Sequence, residues 1–205
     1  MYFDIGANIG NFTKENINNA TQIICIEASP STFKILQENL KEFKHVTCLN
    51  YAVSDTKNDT VTFYQSSYNT LSTLNKNWLI SERSRFGNQT SISEIEVKTI
   101  SIDKLIKLYG IPSLIKVDVE GAENIVLKSL TQKVPLLCFE WAAEWLNENI
   151  ECVEYLTKLG FFKFDIQLHD NYTYHPQSFN YTKDSLIEKL KNAKFKVDWG
   201  MVWCS

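Results

Sequence analysis

Four carboxylates of this 205-residue chain stand where a predicted strand ends. They are Asp4, Glu27, Asp118 and Glu140, and each follows a run of apolar residues. The carboxyl ends of parallel strands in an open α/β sheet form the edge outside which ligands bind. One such carboxylate is often merely solvated, but four at the same edge indicate a shared ligand cleft. The chemistry they offer is hydrogen-bond acceptance, neutralisation of a cation and proton abstraction.

The first of these strands runs directly into a glycine turn, Gly6-Ala-Asn-Ile-Gly10, and a helix is predicted from Asn11. The two glycines permit positive φ angles and close backbone approach. The first turn of the helix has free N–H groups, which favour a carboxylate or a phosphate above the turn. The turn is therefore predicted to bind a small anionic group.

The identity of that group follows from Glu27 and Asn8. Glu27 comes about 20 residues after the turn, where an acidic side chain accepts hydrogen bonds from ribose hydroxyls. A dinucleotide fingerprint needs G-x-G-x-x-G, but Asn8 takes the place of the second glycine and the next glycine is Gly10. The turn suits a smaller group, such as the amino-acid end of S-adenosylmethionine. The helix amides would then face its carboxylate and the acidic side chains its ammonium.

Strand and helix patterns alternate along the chain, which predicts one α/β domain over 1–205, doubly wound around a mostly parallel sheet. The strands are predicted at 2–5, 22–27, 46–53, 60–65, 96–101, 114–118, 135–141, 161–166 and 196–204. Helices are predicted at 11–19, 102–109, 149–159 and 182–193. Another helix is predicted to begin at Pro30, with Ser29 as its cap, and one more to follow Glu123 and end at Leu130. Residues 66–93 form a long polar loop, and about 55–95 is predicted to be a hairpin or lid insertion.

Composition excludes several classes of function. The net charge of −3 gives no basic field, so neither nucleic acid nor an anionic membrane is expected as a partner. The five cysteines are an odd number with no C-x-x-C pair, which predicts reduced thiols. Without a secretory signal or an apolar run of spanning length, a cytoplasmic location is expected.

Four sequence blocks together resemble the FkbM family of S-adenosylmethionine-dependent methyltransferases. They are Phe3-Asp-Ile-Gly-Ala-Asn-Ile-Gly-Asn-Phe-Thr13, Ile26-Glu-Ala-Ser-Pro30, Asn50-Tyr-Ala-Val-Ser-Asp55 and Ile115-Lys-Val-Asp-Val-Glu-Gly-Ala-Glu123. The last block is the most specific, and the order and spacing fit over about residues 2–141. The resemblance implies the Rossmann-like class I methyltransferase fold, with seven strands of which the last is antiparallel. It also implies O-methylation of a hydroxyl, often on a sugar or glycan.

The resemblance assigns S-adenosylmethionine to the cleft, with S-adenosylhomocysteine as product. The turn would shape the methionine pocket, Glu27 would hold the ribose, and Ala52 and Val53 would flank the adenine. Asp118 would lie beside the methionine amino group and the transferring methyl. The implied cofactor-binding residues are Asp4, Gly6, Ala7, Asn8, Gly10, Asn11, Phe12, Glu27, Ala28, Ser29, Ala52, Val53 and Asp118.

Methyl transfer from a sulfonium is an in-line displacement, in which positioning supplies most of the catalysis. An alcohol nucleophile also gains from a general base. The candidates are Asp118, Glu120, Glu140 and His169, with Asp118 or Glu120 favoured because both follow the strand nearest the methyl group. The same four side chains are of the type that binds a hard divalent ion. They form no compact ligand motif, so no metal is predicted.

Aromatic residues supply candidates for the acceptor site. Trp141 and Trp145 lie four residues apart beside Glu140, and Tyr68 lies in the long loop. Since aromatic faces bind sugars, these three are predicted to contact a small-molecule or glycan acceptor.

Two further expectations concern the cleft and the class of protein. Family members usually carry more chain before the first strand than the single Met1 here, so a neighbouring domain or a homodimer partner is expected to cover the cleft. Three alternatives stay open at this point. They are methylation of another small hydroxyl compound, lipid-linked or not, a non-catalytic cofactor-binding domain of a glycan-modifying protein, and an NAD(P)-dependent oxidoreductase, which the missing glycine disfavours.

Overall fold

The computed structural model describes residues 1–87 and 91–205. The strands are β1 (Tyr2–Ile5), β2 (Ile23–Ile26), β3 (Val46–Leu49), β4 (Ala52–Val53), β5 (Thr60–Ser66), β6 (Ile92–Ile100), β7 (Leu114–Val117), β8 (Leu137–Ala142), β9 (Phe164–Leu168) and β10 (Trp199–Cys204). The helices are α1 (Asn11–Glu15), α2 (Pro30–Leu40), α3 (Lys76–Ile80), α4 (Ile102–Tyr109), α5 (Glu123–Leu127), α6 (Leu146–Lys158) and α7 (Lys183–Lys191).

Seven strands form the main sheet in the order β3-β2-β1-β7-β8-β10-β9. β1 pairs in parallel with β2 and β7, and β7 pairs in parallel with β8. β10 is antiparallel to both of its neighbours, β8 and β9. The predicted doubly wound sheet of seven strands with an antiparallel last strand is therefore confirmed. The strand order reverses between β1 and β7, and such a switch point is where open α/β sheets bind ligands.

Helices cover both faces of the sheet, which explains why β2 and β7 are buried along their whole length. On one face, Phe3 and Ile115 belong to a core completed by α4, α5, α6 and α7. On the other face, Ile23 packs with Leu36 of α2. The predicted start of α2 is confirmed, because Pro30 occupies its first turn and the Ser29 hydroxyl accepts a hydrogen bond from the Thr32 N–H.

The predicted strand 46–53 is wrong, because it is two strands in different sheets. β3 ends at Leu49, and the Asn50 side chain donates to the carbonyls of Glu27 and Ala28 at 2.8 and 3.0 Å. These bonds turn the chain, so that Ala52 and Val53 pair with β6 instead. The predicted helix 11–19 is also too long, since α1 ends at Glu15.

A second sheet of three strands, β4-β6-β5, lies beside the first. β5 and β6 form an antiparallel pair from Thr60↔Lys98 to Ser66↔Ile92, and β4 joins β6 in parallel. The segment predicted as a loop at 66–93 contains α3 and the first residues of β6. Residues 88–90 of that loop lie outside the described residues. The lid role of residues 55–95 stays a prediction.

Among the helices of residues 1–87 and 91–205, none combines the length and the apolar character that crossing a bilayer requires.

Candidate active site

A cavity of about 880 Å³ opens at the carboxyl ends of β1, β2, β7 and β8. This volume lies within the range of roughly 300–1,000 Å³ that small-molecule sites occupy. Most of the sequence-predicted site residues line it: Gly6, Ala7, Asn8, Asn11, Phe12, Glu27, Ala28, Ala52, Val53, Tyr68, Asp118, Glu120 and Glu140. The structure therefore brings together residues 6–28, residues 52–68 and residues 118–140, which lie far apart in the sequence.

The turn after β1 needs glycine at position 6 because of the neighbouring backbone. Gly6 has φ +73°, and a Cβ atom there would lie 1.7 Å from the carbonyl oxygen of Asp118. The close approach that the sequence suggested is thus an approach to another part of the chain. It brings the ends of β1 and β7 together and fixes the position of Asp118.

Glu27 lies at the end of β2 and faces the turn. Its Oε1 accepts from the Ser29 N–H at 2.8 Å and its Oε2 from the Asn8 N–H at 3.0 Å. Burial raises the pKa of this carboxyl to about 7, although the two backbone N–H groups and Lys116 act in the opposite direction. Each carboxylate oxygen has a second lone pair, so Glu27 has the capacity to accept ribose hydroxyls.

Lys116 is one of the site residues that sequence reasoning missed. Its side chain is 6% exposed, and Nζ lies 3.3 Å from Asp4 Oδ1 and 3.2 Å from Asp118 Oδ2. Nζ also donates to the carbonyl of Gly6 at 3.1 Å. Burial opposes the charge, but Asp118 and Asp4 outweigh it and raise the pKa of Lys116 above its ordinary value. The available signal was a charged residue inside the apolar strand Leu114–Val117.

Asp4 lies beneath the turn and does not line the cavity. It is fully buried, and its Oδ2 accepts from the Thr13 hydroxyl at 2.7 Å while Oδ1 faces Lys116. Support of the turn fits this position, whereas direct contact with the cofactor, which the resemblance implied for Asp4, does not. The correction follows from the register of β1, which points the Asp4 side chain below the cavity.

Three carboxylates converge at the centre of the cavity. One oxygen each of Asp118, Glu120 and Glu140 lies within 4.8 Å of the others. Burial and the charge of Asp118 raise the pKa of Glu120, and burial and the charge of Glu120 raise that of Glu140. The cluster can bind a cationic group, share a proton or accept one from a substrate.

The loop that carries Glu120 is stabilised by hydrogen bonds to the first turn of α5, the helix that follows it. Glu123, in the first turn of α5, accepts from the N–H groups of Val119 at 3.0 Å and of Gly121 at 3.4 Å. Glu120 has φ +59°, and Gly121 has φ +82°. A Cβ atom on Gly121 would lie 2.4 Å from the Trp78 ring, so α3 packs directly on this loop.

Two of the three predicted acceptor residues do not line the cavity. Trp141 is 2% exposed and belongs to the main core. Side chains alternate along a strand, so Trp141 points away from the cavity when Glu140 and Ala142 face it. Trp145 packs against Trp78 with ring centroids 5.7 Å apart. Those two predictions are wrong as cavity contacts, whereas Tyr68 does line the cavity.

Other aromatic residues line the cavity where the tryptophans were expected: Trp78, Phe86, Tyr172 and Trp199. His169 does not line it, because its ring packs against Trp199 at 5.6 Å. Its neighbour Asp170 lines the cavity in its place.

Gly10 and Ser29 also lie outside the cavity lining. Gly10, with φ +93°, faces Leu36 and Leu40, while Ser29 caps α2. Both hold the elements around the cavity and make no contact with its interior.

Ion pairs attach the segment after α3 to the turn that follows β8 and to α6. Arg85, which lines the cavity, donates to both carboxylate oxygens of Glu144 at 2.5 and 2.6 Å and to the Asp198 carbonyl at 3.2 Å. Arg83 pairs with Glu148 at 2.9 Å and lies over the Trp145 ring at 4.7 Å. These contacts place Phe86 beside the cavity.

Residues 4–167, which are well over half of the chain, match the family described as Methyltransferase FkbM domain. This chain belongs to the FkbM methyltransferase family. It is accordingly an S-adenosylmethionine-dependent methyltransferase, and the suspected resemblance and enzyme class are confirmed. No curated protein matches this FkbM chain significantly in sequence.

Solved structures resemble the FkbM chain in fold. The precorrin 8W decarboxylase of Methanobacterium thermoautotrophicum is 11% identical, with a TM-score of 0.50 over 100% of this chain and 80% of that one. The precorrin-6y C5,15-methyltransferase of Geobacter metallireducens is also 11% identical, with a TM-score of 0.48 over 100% and 78%. The fibrillarin of Aeropyrum pernix, solved with natively bound S-adenosyl-L-methionine, is 10% identical, with a TM-score of 0.48 over 100% and 65%. The first of these likenesses supports the class I fold.

Proposed function

We propose that this enzyme methylates a hydroxyl group of a sugar or glycan. The observation that carries the proposal is the pairing of carboxylates with aromatic faces in one cavity. Glu120 and Glu140 offer acceptors for neighbouring hydroxyls, and Trp199 and the exposed Tyr68 offer apolar faces for the C–H side of a sugar ring. A small-molecule acceptor without both apolar and hydroxyl-rich faces would make fewer contacts with the cavity.

The cofactor occupies the half of the cavity between the turn and β4 in this proposal. Glu27 accepts the ribose hydroxyls, and Ala52 and Val53 form the apolar surface for the adenine. Asn8 and Asn11 border the methionine end. S-adenosylmethionine supplies the methyl group as an electrophile on its sulfonium. The carboxylates of Asp118 and Glu120 then lie at the junction of the cofactor half and the acceptor half.

Glu120 is proposed as the general base. Asp118 is paired with Lys116 at 3.2 Å, which satisfies its charge and leaves it suited to orientation. Burial and the charge of Asp118 raise the pKa of Glu120, and a raised pKa makes its ionised form a stronger base. Glu120 takes the proton from the acceptor oxygen as that oxygen bonds to the methyl carbon. The carbon–sulfur bond breaks in the same step.

Other observations support the proposed location and partners of the enzyme. Its five cysteines are free, which fits the reducing cytoplasm. Tyr68 is 62% exposed at the cavity and offers a surface for a neighbouring domain or a homodimer partner. The acidic net charge disfavours nucleic acid as substrate.

The test is methyl transfer from S-adenosylmethionine to a panel of unmethylated glycans, read by mass spectrometry. S-adenosylhomocysteine binding, measured by thermal shift, reports cofactor binding separately because a ligand of the folded state raises Tm. We expect binding and transfer to at least one glycan. Binding without transfer to any hydroxyl compound would support a non-catalytic cofactor-binding domain and contradict the proposal.

A further inference from the structure

We infer that the acceptor carries a protonated amine close to the hydroxyl that is methylated, as an amino sugar does. The inference rests on the proposed function, because it names the charge class of the acceptor for the same cavity. It is carried by the unbalanced charge of the cavity and by the aromatic rings on either side of that charge.

The cations of the cavity are already paired. Among the described residues that line it, the cations are Lys116 and Arg85. Lys116 lies between Asp4 and Asp118, and Arg85 binds both carboxylate oxygens of Glu144. Neither ammonium nor guanidinium is therefore left over for an anionic acceptor.

The anions of the cavity are not paired to the same extent. Glu120, Glu140 and Asp170 line it, and no salt bridge joins any of the three to a cation of the described residues. S-adenosylmethionine carries a sulfonium and an ammonium against one carboxylate, so its own net charge is a single positive one. That charge does not balance the three acidic groups in their ionised forms, and a cationic acceptor would favour those forms.

An oxygen of Glu140 marks the place where the cation is missing. Its Oε2 is buried and has no hydrogen-bond partner among the described residues. Leaving a buried carboxylate oxygen unpaired is costly, and a donor from a ligand removes that cost. An ammonium provides up to three N–H donors. It also provides the positive charge with which Glu120 and Glu140 are not yet paired.

Two indole rings flank the carboxylates. Trp199 pairs with Ala142 in the antiparallel register of β8 and β10, which places it diagonally to Glu140 on the same face of the sheet. On the other side, the Trp78 ring contacts Gly121, the residue after Glu120. Aromatic rings near carboxylates favour the binding of an ammonium group, since ring faces also attract cations.

The same charge pattern argues against uronic acids and phosphorylated sugars. An anionic group would meet Glu120, Glu140 and Asp170 with no cation to offset them. Like charges at close range disfavour binding, and the desolvated setting of the cavity strengthens the effect. A neutral glycan would bind without repulsion but would leave the surplus charge unmatched.

The experiment compares three sugars that share a ring and differ in charge. They are glucosamine, glucose and glucuronate, titrated calorimetrically into the enzyme saturated with S-adenosylhomocysteine at neutral pH. We expect glucosamine to bind roughly tenfold more tightly than glucose, the scale of one desolvated cation contact, and glucuronate to bind more weakly than glucose. Added salt is expected to reduce the preference for glucosamine.

A variant pair assigns the preference to the cavity. Asp170→Asn removes one cavity charge and should weaken glucosamine binding several-fold more than it weakens glucose binding. Asp184→Asn makes the same chemical change on α7, where the side chain is 88% exposed, and should alter neither. Trp199→Leu should reduce the preference by removing one ring face.

Glucosamine binding no tighter than glucose, or undetectable, would overturn the inference, as would tighter binding of glucuronate. The proposed function fails differently. If neutral glycans are methylated while glucosamine shows no advantage, the inference is wrong and the proposed function stands. If S-adenosylhomocysteine binds but no hydroxyl compound is methylated, the proposed function itself is wrong.

Discussion

The Nζ atom of Lys116 lies 3.2 Å from Oδ2 of Asp118, whereas the other carboxylates that line the cavity form no salt bridge with a described residue. The same ammonium reaches Asp4 and the carbonyl of Gly6, so one buried cation joins the ends of β1 and β7. This contact explains how a loop of acidic residues stays in place. It also separates Asp118, which is charge-paired, from Glu120, which is not.

Replacing Lys116 is therefore expected to damage both stability and the site. Lys116→Met leaves the fully buried Asp4 without its cation, and breaking a buried pair from one side costs about 3–5 kcal/mol of unfolding free energy. Urea denaturation measures this loss. The double variant Lys116→Met with Asp4→Asn should recover part of it, because the orphaned charge is gone. Equal stability of Lys116→Met and the native protein would contradict the assigned contact.

Cofactor affinity should depend on pH through Glu27. Its pKa is raised to about 7, so the ionised acceptor for ribose hydroxyls is lost as pH falls through that value, well above the range of an ordinary glutamate. Affinity for S-adenosylhomocysteine, measured by calorimetry, should weaken from mildly alkaline to mildly acidic pH, and binding should release protons.

The matched variant is Glu27→Gln, which cannot ionise. It should bind S-adenosylhomocysteine roughly tenfold or more weakly, because a hydrogen bond to a charged group contributes about 1.5–3 kcal/mol. Its affinity should also lose the pH dependence near neutrality. A dependence that survives in the variant would assign the titration to a different group.

The sequence predicted the fold because each level of pattern agreed with the next. Apolar runs, the glycine turn and the Pro30 helix start are local signals, and the strand ends at Glu27 and Asp118 placed both residues at one edge. The break at Asn50 was missed because it depends on side-chain bonds to Glu27 and Ala28, which are distant in the chain. Asn50 is one polar residue in the mostly apolar stretch 46–53, and its type alone does not predict the break.

Within the site, long-range contacts account for the errors. The pairing of Arg85 with Glu144 spans 59 residues and has no local signature. In the sequence, Lys116 is an isolated charge on a strand, and its contacts with Asp4 and Asp118 are visible only in the fold. Trp141 is different, because strand alternation after Glu140 already placed it on the opposite face. It was predicted as an acceptor contact because it lies next to Glu140 in sequence, whereas β8 continues to Ala142 and keeps the alternation.

The tryptophans outside and inside the cavity should behave differently on substitution. Trp145→Ala removes a buried ring that packs on Trp78, so we expect a loss of about 3–5 kcal/mol in stability. The acceptor KM of the folded enzyme should stay near its native value. Trp199→Leu should instead raise the acceptor KM several-fold with a small change in Tm. A raised acceptor KM in Trp145→Ala, with an unchanged KM in Trp199→Leu, would show that Trp145 contacts the acceptor.

Removal of metal ions should leave the reaction intact. The three carboxylates lie within 4.8 Å of one another, a spacing that a divalent ion would tolerate, but methyl transfer from a sulfonium needs no Lewis acid. Turnover after treatment with EDTA and gel filtration should equal that of the untreated enzyme. Loss of turnover that Mg²⁺ or Mn²⁺ restores would show that the carboxylates act as ligands.

The most direct test uses S-adenosylmethionine with a deuterated methyl group, a glycan panel that includes amino sugars, and the native enzyme beside Glu120→Gln. Mass spectrometry locates the label, and calorimetry with S-adenosylhomocysteine checks that the variant still binds cofactor. The account predicts label on a sugar oxygen with the native enzyme and a turnover lower by roughly 10²–10⁴-fold in Glu120→Gln at unchanged cofactor affinity. Absence of label on every acceptor, or a Glu120→Gln variant as fast as the native enzyme, would contradict it.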